Sequence, residues 1–384
     1  MDDFAVRVRT RSAMSPESPI RILHLANNLS NHGNGIVNVA VDLAVEQARR
    51  GNTVAFASGG GGYETLLQGA GVQCLSAKQT GGAASAVQNS FGLLGILRQF
   101  KPHLVHAHMR NGLALVLPWA RLLRIPVIMH LHNIHDQSYG LMRWPQRIIA
   151  VSTAVHAELL NQGVLADRIR IVLNGTLGSQ RRPSTVSPAE LKRPSIVTVA
   201  GMMHRKGIAE LIEAFATLPA DGSQSHLYLV GGGSEQSSFQ ELASQSGAAD
   251  RIHFEGFQAD PRPYLKSADL FVLASRRESF ALAILEAREA GCPILATAVD
   301  GIPESLEHGR CGVLVPPQDP TALAAEMVRI LRDRSLQQSL RREAKIGLER
   351  FTVSRMTDEV SNIYSEIFDG SRAAGSRTPQ SVSA

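Results

Sequence analysis

Two glutamates, Glu278 and Glu286, lie eight positions apart in the segment Glu-Ser-Phe-Ala-Leu-Ala-Ile-Leu-Glu. This segment follows an apolar run at 269–274 and precedes Gly291, so the pattern predicts a strand, a turn and then a helix. Eight helical steps would separate the two carboxylates by about 12 Å along the axis. That separation is too long for two acids that share a proton, and it suits two groups that hold opposite ends of one elongated ligand.

The residues between the two acids could bind an anion. We predict that Ser279, Phe280 and Ala281 form the first helical turn, whose backbone amides have no partners within the helix. A ligand with hydroxyls at both ends and a phosphate group between them is a nucleotide sugar. The segment therefore favours a nucleotide-sugar site.

A second candidate segment, Gly201-Met-Met-His-Arg-Lys-Gly207, follows one predicted strand and precedes a helix. It places Arg205 and Lys206 at the start of that helix, where the helix dipole disfavours positive charge. This placement indicates an anion shared between the two side chains. An exposed basic turn is the alternative interpretation.

Glycine-containing turns supply the remaining candidates. Gly33 and Gly35 open a helix after the first strand, and the segment Gly231-Gly-Gly233 ends another strand. Glycines there would allow a phosphate, a ribose or a base to approach the backbone closely. We therefore count Gly33, Gly35, Gly201, Gly231 and Gly232 as donor-binding candidates. Simple tight turns remain the alternative.

Six histidines cluster on or beside two predicted neighbouring strands: His103, His106, His108, His130, His132 and His135. A zinc site is conceivable, but no carboxylate or thiol completes an obvious ligand set, and we expect no metal. We expect one or two of these histidines to meet the substrate at a cleft. The others should be satisfied by hydrogen bonds.

Short apolar runs alternate with helical patterns along the whole chain, which predicts crossover units and parallel sheets. The pattern stops in a polar stretch with three prolines at 178–194 and then starts again. We therefore predict the α/β class, with two doubly wound, Rossmann-like domains facing a central cleft.

The same pattern gives the domain boundaries. We predict a flexible lead-in at 1–18, an N-terminal acceptor-side domain at 19–180 and a C-terminal nucleotide-sugar domain at 181–350. A helix at 351–369 should pack back on the N-terminal domain. Residues 370–384 have little to bury, and we predict a disordered tail.

The composition restricts the class of protein. The net charge of +5 over 384 residues is mildly basic. It fits phosphate-bearing ligands or an anionic membrane face, although a solvated basic surface explains it equally well. We expect no nucleic-acid partner. The three cysteines show no metal or redox spacing, and no apolar run reaches the length of a membrane span. We therefore expect a cytoplasmic protein, possibly at the inner face of a membrane.

Taken in order, these segments resemble glycosyltransferase family 4, whose members are retaining enzymes of the GT-B architecture. The resemblance extends from about residue 20 to about 368 and is most specific in 278–291. It is also carried by the motifs at 149–152, 172–175, 297–304 and 312–319.

The resemblance implies a role for each candidate. Glu286 would bind the ribose hydroxyls of the donor, and Glu278 would hold hydroxyls of the transferred sugar. Lys206 would neutralise the diphosphate, while Gly35 would approach it from the opposite domain. His132 matches a histidine that these enzymes place near the reacting sugar.

The chain also departs from the family pattern. Met202 stands where such enzymes usually have arginine, and Arg205 would supply the second positive charge from another backbone position. Ser279 replaces a common glycine.

The expected function is transfer of a hexose from a nucleoside diphosphate sugar to a saccharide or lipid-linked hydroxyl acceptor, with retention of configuration and without a cofactor. Surface polysaccharide or glycolipid synthesis is the expected setting. Two alternatives remain: an epimerase or phosphorylase of the same architecture, and a non-catalytic nucleotide-binding relative.

Overall fold

The structure, a computed structural model, describes residues 19–134, 139–218 and 225–375. The predicted lead-in at 1–18 and the final residues 376–384 lie outside the described residues.

The first half of the chain forms a parallel sheet of seven strands in the order β3-β2-β1-β4-β5-β6-β7. The strands are β1 (Arg21–Leu25), β2 (Thr53–Ser58), β3 (Gln73–Ser76), β4 (Leu104–Ala107), β5 (Val127–Leu131), β6 (Arg147–Ala150) and β7 (Ile169–Ile171). The helices are α1 (Gly35–Arg49), α2 (Glu64–Gly69), α3 (Ala83–Phe100), α4 (Arg110–Leu122) and α5 (Thr153–Asn161).

The second half repeats this architecture with six parallel strands in the order β10-β9-β8-β11-β12-β13. The strands are β8 (Ser195–Val199), β9 (His226–Val230), β10 (Ile252–Gly256), β11 (Leu270–Leu273), β12 (Ile294–Thr297) and β13 (Val313–Val315). The helices are α6 (Ile208–Ala216), α7 (Gln236–Gln245), α8 (Arg262–Ser267), α9 (Leu282–Ala290), α10 (Ile302–Ser305), α11 (Pro320–Arg332) and α12 (Arg334–Glu343). The predicted fold class is confirmed.

The sequence explains why these elements form where they do. The central strands are short apolar runs buried on both faces, as parallel strands between two helical layers must be. Helix starts carry capping side chains: Asn34 accepts from the Ile36 amide at 3.1 Å and Asp319 from the Ala322 amide at 2.9 Å. The edge strand β3 was not predicted, because its residues are only partly buried and lack a clear apolar pattern.

The last helix, α13 (Val353–Gly375), packs on α1 and completes the core of the first sheet. Its residues Met356, Val360 and Ile363 lie in the same apolar cluster as strands β1 and β2. The helix extends past the predicted end at 369 to Gly375.

A buried ion pair ties the segment between the sheets to the first domain. The Arg181 guanidinium donates to both carboxylate oxygens of Asp42 on α1, at 2.8 and 2.9 Å, and the Ser179 hydroxyl donates to the same carboxylate at 2.6 Å. Both charged side chains are almost fully buried. Such a pair resists disruption, because removal of one partner leaves an uncompensated buried charge.

A second buried cation, Arg288, fixes helix α9. Its guanidinium is fully buried and donates to the carbonyls of Ala344 at 3.0 Å and Ser305 at 2.7 Å, and to the Glu307 carboxylate at 3.0 Å. One side chain thereby joins α9 to α10 and to the segment after α12.

We expect Arg288→Met to lower the free energy of unfolding by about 3 kcal/mol or more, because it leaves two buried carbonyls without their donor and removes one of the two arginines paired with Glu307. Urea unfolding followed by circular dichroism measures this loss. Arg334→Met, at an exposed position of α12, is the control and should change stability by less than about 0.5 kcal/mol. Equal stability of the two variants would contradict the role of Arg288.

Candidate functional site

A cleft of about 670 Å³ lies between the two domains and is lined by residues of both. The carboxyl ends of the parallel strands meet there, which is where α/β domains bind ligands. The cleft contains every catalytic and donor-binding candidate from the sequence: Gly33, Gly35, His132, Gly201, Arg205, Lys206, Gly231, Gly232, Glu278, Ser279, Phe280, Ala281 and Glu286. Their individual roles remain predictions.

Glu278 lies in the turn after β11 and is largely buried, with 8% of its surface exposed. Its carboxylate pairs with the Lys206 ammonium. Its backbone amide donates to Asp300 at 2.7 Å, and its carbonyl accepts from the Gly301 amide at 3.0 Å. The loop at 300–301 therefore fixes the position of the acid.

The same loop corrects the predicted helix. Helix α9 begins at Leu282, and Ala281 is its N-cap residue with extended backbone angles. Ser279, Phe280 and Ala281 therefore do not form its first turn, because the contacts of Glu278 with 300–301 hold the preceding chain in a turn. The Ser279 hydroxyl instead accepts from the Ile134 amide of the first domain at 3.0 Å. The amides of the first helical turn belong to Leu282 and Ala283, which also line the cleft.

Glu286 lies within α9 and pairs with Arg182, and both side chains are more than nine-tenths buried. Sequence analysis missed Arg182, because it lies in the polar stretch assigned to a linker and pairs with a residue far away along the chain. Its neighbour Arg181 pairs with Asp42, so consecutive arginines connect the two domains.

The basic segment forms a short 3₁₀ turn at His204–Lys206 before α6. Met202, the departure from the family pattern, is fully buried in the core of the second domain and is not among the residues that line the cleft. Arg205 lines the cleft and forms no ion pair with any residue that the structure describes. Lys206 and Arg205 therefore give the cleft one paired cation and one unpaired cation.

The glycine turns have mainly steric roles. Gly231 has φ of +144°, and a Cβ atom there would collide with the Ala200 carbonyl. A Cβ atom at Gly35 would approach a methyl group of Leu282 on α9 at 3.4 Å. The turn before α1 therefore lies against the start of α9, with the cleft beside it.

The histidines divide into three groups. His132 lines the cleft, and His106, His108 and His130 are buried behind it together with His24 of β1, which sequence analysis did not select. His103 lies apart and accepts a hydrogen bond from the Arg21 amide. His135 lies outside the described residues.

Burial keeps the clustered histidines neutral. It lowers the pKa of His24 to about 4 and that of His132 to about 3, with the Gln47 hydrogen bond partly offsetting the change at His24. It also holds the pKa values of the other three, His106, His108 and His130, well below the ordinary value, and neighbouring imidazoles add to this effect.

Comparison with known proteins agrees with this geometry. The model of the group 1 glycosyl transferases matches residues 180–346, and that of Glycosyltransferase Family 4 matches residues 33–176. Among curated proteins, the lipopolysaccharide core biosynthesis glycosyltransferase LpsE of Rhizobium meliloti is 30% identical over 74% of this chain and 85% of its own length. LpsD of the same organism is 26% identical over 71% and 77%.

Solved structures share the architecture. Anabaena Alr3699/HepE in complex with UDP and glucose superposes with a TM-score of 0.77 and 21% identity, over 90% of this chain and 99% of its own. Two parallel-sheet domains around a shared cleft define the class of two-domain glycosyltransferases. The chain belongs to glycosyltransferase family 4, which confirms the resemblance in the sequence.

We expect the stability of the protein to fall steeply as the pH drops below about 6.5. An unfolded histidine binds a proton near that value, whereas the five buried histidines do so only at much lower pH. The unfolded state therefore gains protons first, and each histidine costs about 1.4 kcal/mol of stability per pH unit between its two pKa values.

Urea unfolding at pH 7.5, 6.5 and 5.5 measures this slope. His204→Gln, at an exposed position, should leave the slope unchanged. A stability that is flat over this pH range would contradict the neutral cluster.

Proposed function

We propose that this glycosyltransferase moves a hexose from a nucleoside diphosphate sugar to a hydroxyl acceptor with retention of the anomeric configuration. The observation that carries the proposal is the pairing of two acids and two cations in one cleft: Glu278 with Lys206 and Glu286 with Arg182. The start of α9 lies between the two acids along the chain.

Each part of this arrangement suits a part of the donor. Glu286 would accept hydrogen bonds from the ribose hydroxyls, and Glu278 from hydroxyls of the transferred sugar. The diphosphate would take Lys206 from Glu278 and would also attract Arg205, together with the amides at the start of α9. Donor binding then exchanges one ion pair for another, and hydrogen bonds from the sugar hydroxyls would replace Lys206 at the buried Glu278 carboxylate.

The reaction breaks the bond between the anomeric carbon and the diphosphate oxygen, and negative charge develops on the leaving diphosphate. Lys206, Arg205 and the helix amides would stabilise this charge more strongly in the transition state than in the ground state. The acceptor hydroxyl forms the new bond on the face that the diphosphate leaves, and its proton passes to the leaving diphosphate. The proposal includes no metal or cofactor, because these groups supply the positive field.

The names of the relatives support a biosynthetic setting. LpsE and LpsD are glycosyltransferases of lipopolysaccharide core biosynthesis, and HepE was solved with UDP and glucose. We infer that this chain uses a nucleotide sugar and a saccharide or lipid-linked acceptor in the synthesis of a surface polysaccharide or glycolipid.

We expect Lys206→Ala to lower kcat by about 150-fold, equivalent to about 3 kcal/mol. The variant lacks the main cation that would stabilise the negative charge developing on the leaving diphosphate. The donor is first found by thermal shift against UDP-, GDP- and ADP-sugars, since a ligand at 100 times its Kd stabilises by about 2.7 kcal/mol. Turnover is then measured with that donor and a saccharide acceptor.

Lys206→Arg retains the charge and should keep part of the activity, while Lys192→Ala, at an exposed position outside the cleft, should retain all of it. Unchanged turnover in Lys206→Ala would refute this account of the leaving group. A product formed from sugar phosphate, with release of free phosphate, would instead favour the phosphorylase alternative.

Membrane association is the second part of the proposal. Among the described residues, no helix combines the length and apolar character that a bilayer span requires. The acceptor-side domain nevertheless exposes Trp144, whose ring lies 4.6 Å from the Arg121 guanidinium, beside Arg143, Arg168 and the exposed Leu122. Aromatic and basic side chains in one patch suit the surface of an anionic bilayer.

We expect the double substitution Arg121→Glu and Arg143→Glu to weaken vesicle binding at least tenfold, since each basic residue near an anionic surface contributes about 1 kcal/mol. Co-sedimentation with vesicles of phosphatidylcholine, alone and mixed with phosphatidylglycerol, measures the effect. Arg334→Glu on the opposite domain is the control. Equal binding to both vesicle types would contradict an electrostatic membrane contact.

A further inference from the structure

A row of five buried histidines crosses the first sheet from its centre towards the cleft. His24 lies on β1, His106 on β4 and His130 on β5, on the face covered by α1 and α13, while His108 and His132 follow directly after the ends of β4 and β5. No carboxylate pairs with these imidazoles among the contacts of the described residues. Only His132 reaches the cleft.

Hydrogen bonds join three of the histidines into a first chain that starts at Gln47 on α1. The Gln47 Oε1 lies 2.8 Å from Nε2 of His24, and Nδ1 of His24 lies 2.9 Å from Nε2 of His108. Nδ1 of His108 then lies 3.1 Å from Nε2 of His132. We call this series the Gln47 chain.

A second, shorter chain starts at Tyr364 on α13. The Tyr364 hydroxyl lies 2.6 Å from Nδ1 of His106, and Nε2 of His106 lies 3.3 Å from Nδ1 of His130. This series is the Tyr364 chain. The two chains are joined at their start, because Nε2 of Gln47 lies 3.1 Å from the Tyr364 hydroxyl.

The ring geometry favours hydrogen bonds over a shared metal ion. The ring centroids of His108 and His132 are 5.4 Å apart, and the contacting nitrogens are 3.1 Å apart. The difference equals the distance from centroid to nitrogen in both rings, so the two centroids and the two nitrogens lie nearly on one line. The two rings, inclined by 24°, therefore lie edge to edge with each nitrogen directed at the other. His24 and His108 show the same relation at 5.2 Å and 18°. For one ion to be bound by these atoms, the lone pairs would have to converge on a third point.

Two arrangements satisfy every bond and also give the Tyr364 hydroxyl proton an acceptor, because each neutral imidazole has one N–H and one bare nitrogen. In the first, the Tyr364 hydroxyl donates to His106 and accepts from the Gln47 amide, so the Gln47 oxygen faces His24. Every imidazole of the Gln47 chain then carries its proton on Nε2, and Nδ1 of His132 is bare. In the second, the Gln47 oxygen faces Tyr364 and accepts from its hydroxyl, the Gln47 amide donates to Nε2 of His24, and Nδ1–H of His106 donates to Tyr364. Every imidazole of the Gln47 chain then carries its proton on Nδ1, including His132.

The contact at Tyr364 selects the first arrangement. A separation of 2.6 Å is typical of a hydroxyl that donates, whereas an imidazole N–H that donates to oxygen lies closer to 2.9 Å. Burial also raises the pKa of Tyr364, so that the phenol keeps its proton.

We propose that Tyr364, acting through Gln47, His24 and His108, holds His132 in the Nε2–H tautomer, so that its Nδ1 is an acceptor without a proton in the wall of the cleft. This nitrogen is buried, and no described residue donates to it. A ligand group that comes into contact with it must donate, as a sugar hydroxyl does and a carboxylate does not. This last step rests on the proposed function, and the tautomer itself does not. Gln47 and Tyr364 are positioning residues, because they act on the ligand only through His132.

The test is ¹⁵N NMR of the ligand-free full-length protein labelled at histidine, which distinguishes protonated from bare ring nitrogens. The His132 signals are assigned by their loss in His132→Asn. We expect Nδ1 of His132 in the range of a bare nitrogen and Nε2 in the range of a protonated one. Because no donor is added, a failure here is separate from a failure of the proposed glycosyl transfer.

We expect Tyr364→Phe to move the Nδ1 signal of His132 towards the protonated range, because the hydroxyl that orients Gln47 is gone. Gln47→Leu breaks the same link and serves if the first variant does not fold. Tyr228→Phe is the control: it removes a tyrosine hydroxyl that accepts from the Lys192 amide in the other domain, and it should leave His132 unchanged.

Three results would overturn the proposal. The first is a His132 that carries its proton on Nδ1 or on both nitrogens at neutral pH. The second is an unchanged His132 signal in both folded variants, Tyr364→Phe and Gln47→Leu. The third is one equivalent of zinc by elemental analysis of the purified protein that disappears in His108→Gln.

Discussion

A buried charge must have a partner, and this requirement organises the cleft. Glu278 and Glu286 are each largely removed from solvent, and each is paired, with Lys206 and Arg182. Removing a charge from water costs several kcal/mol unless a counter-charge or hydrogen bonds offset it. The ligand-free cleft therefore already holds both acids in fixed positions, and the ligand that fits it is one that can take over these pairings. A molecule with hydroxyls at each end and a diphosphate between them, as proposed above, meets this condition, whereas an apolar ligand has no group that could replace a partner of either acid.

The scaffold keeps these charges in place through other buried polar contacts. Arg288 fixes α9 from behind, and the 300–301 loop fixes the turn that carries Glu278. The pair of Asp42 and Arg181 attaches the segment that carries Arg182 to the first domain. The histidine row acts on the opposite wall of the cleft. It sets which ring nitrogen of His132 carries the proton, and it adds no net charge. Ion pairs therefore fix the side chains on the second domain's side of the cleft, and neutral imidazoles do so on the first domain's side.

Much of this was accessible from the sequence where the signal is local. The apolar runs predicted most strands, and the segment 278–291 predicted a turn and a helix that hold both acids, although the helix begins later because contacts with 300–301 delay it. Pairings between distant residues left no local signal. Arg182 lies in a polar stretch without periodicity, and His24 lies between two leucines in a mainly apolar strand, so neither could be linked to a partner. Met202 stands where the family pattern has arginine, and nothing in the sequence indicated that this side chain packs into the core of the second domain.

The C-terminal helix has a consequence for how the chain reaches its native state. Residues 353–367 fill the layer that covers the first sheet, yet in chain order the whole second domain comes before them. On the ribosome, the second domain has all its own strands available before the first domain receives its last covering helix. The domain that is synthesised first therefore completes its folding last. Until α13 packs on it, its imidazoles lack the Tyr364 hydroxyl and this part of the covering layer. A chain that still lacks α13 therefore has no complete cleft.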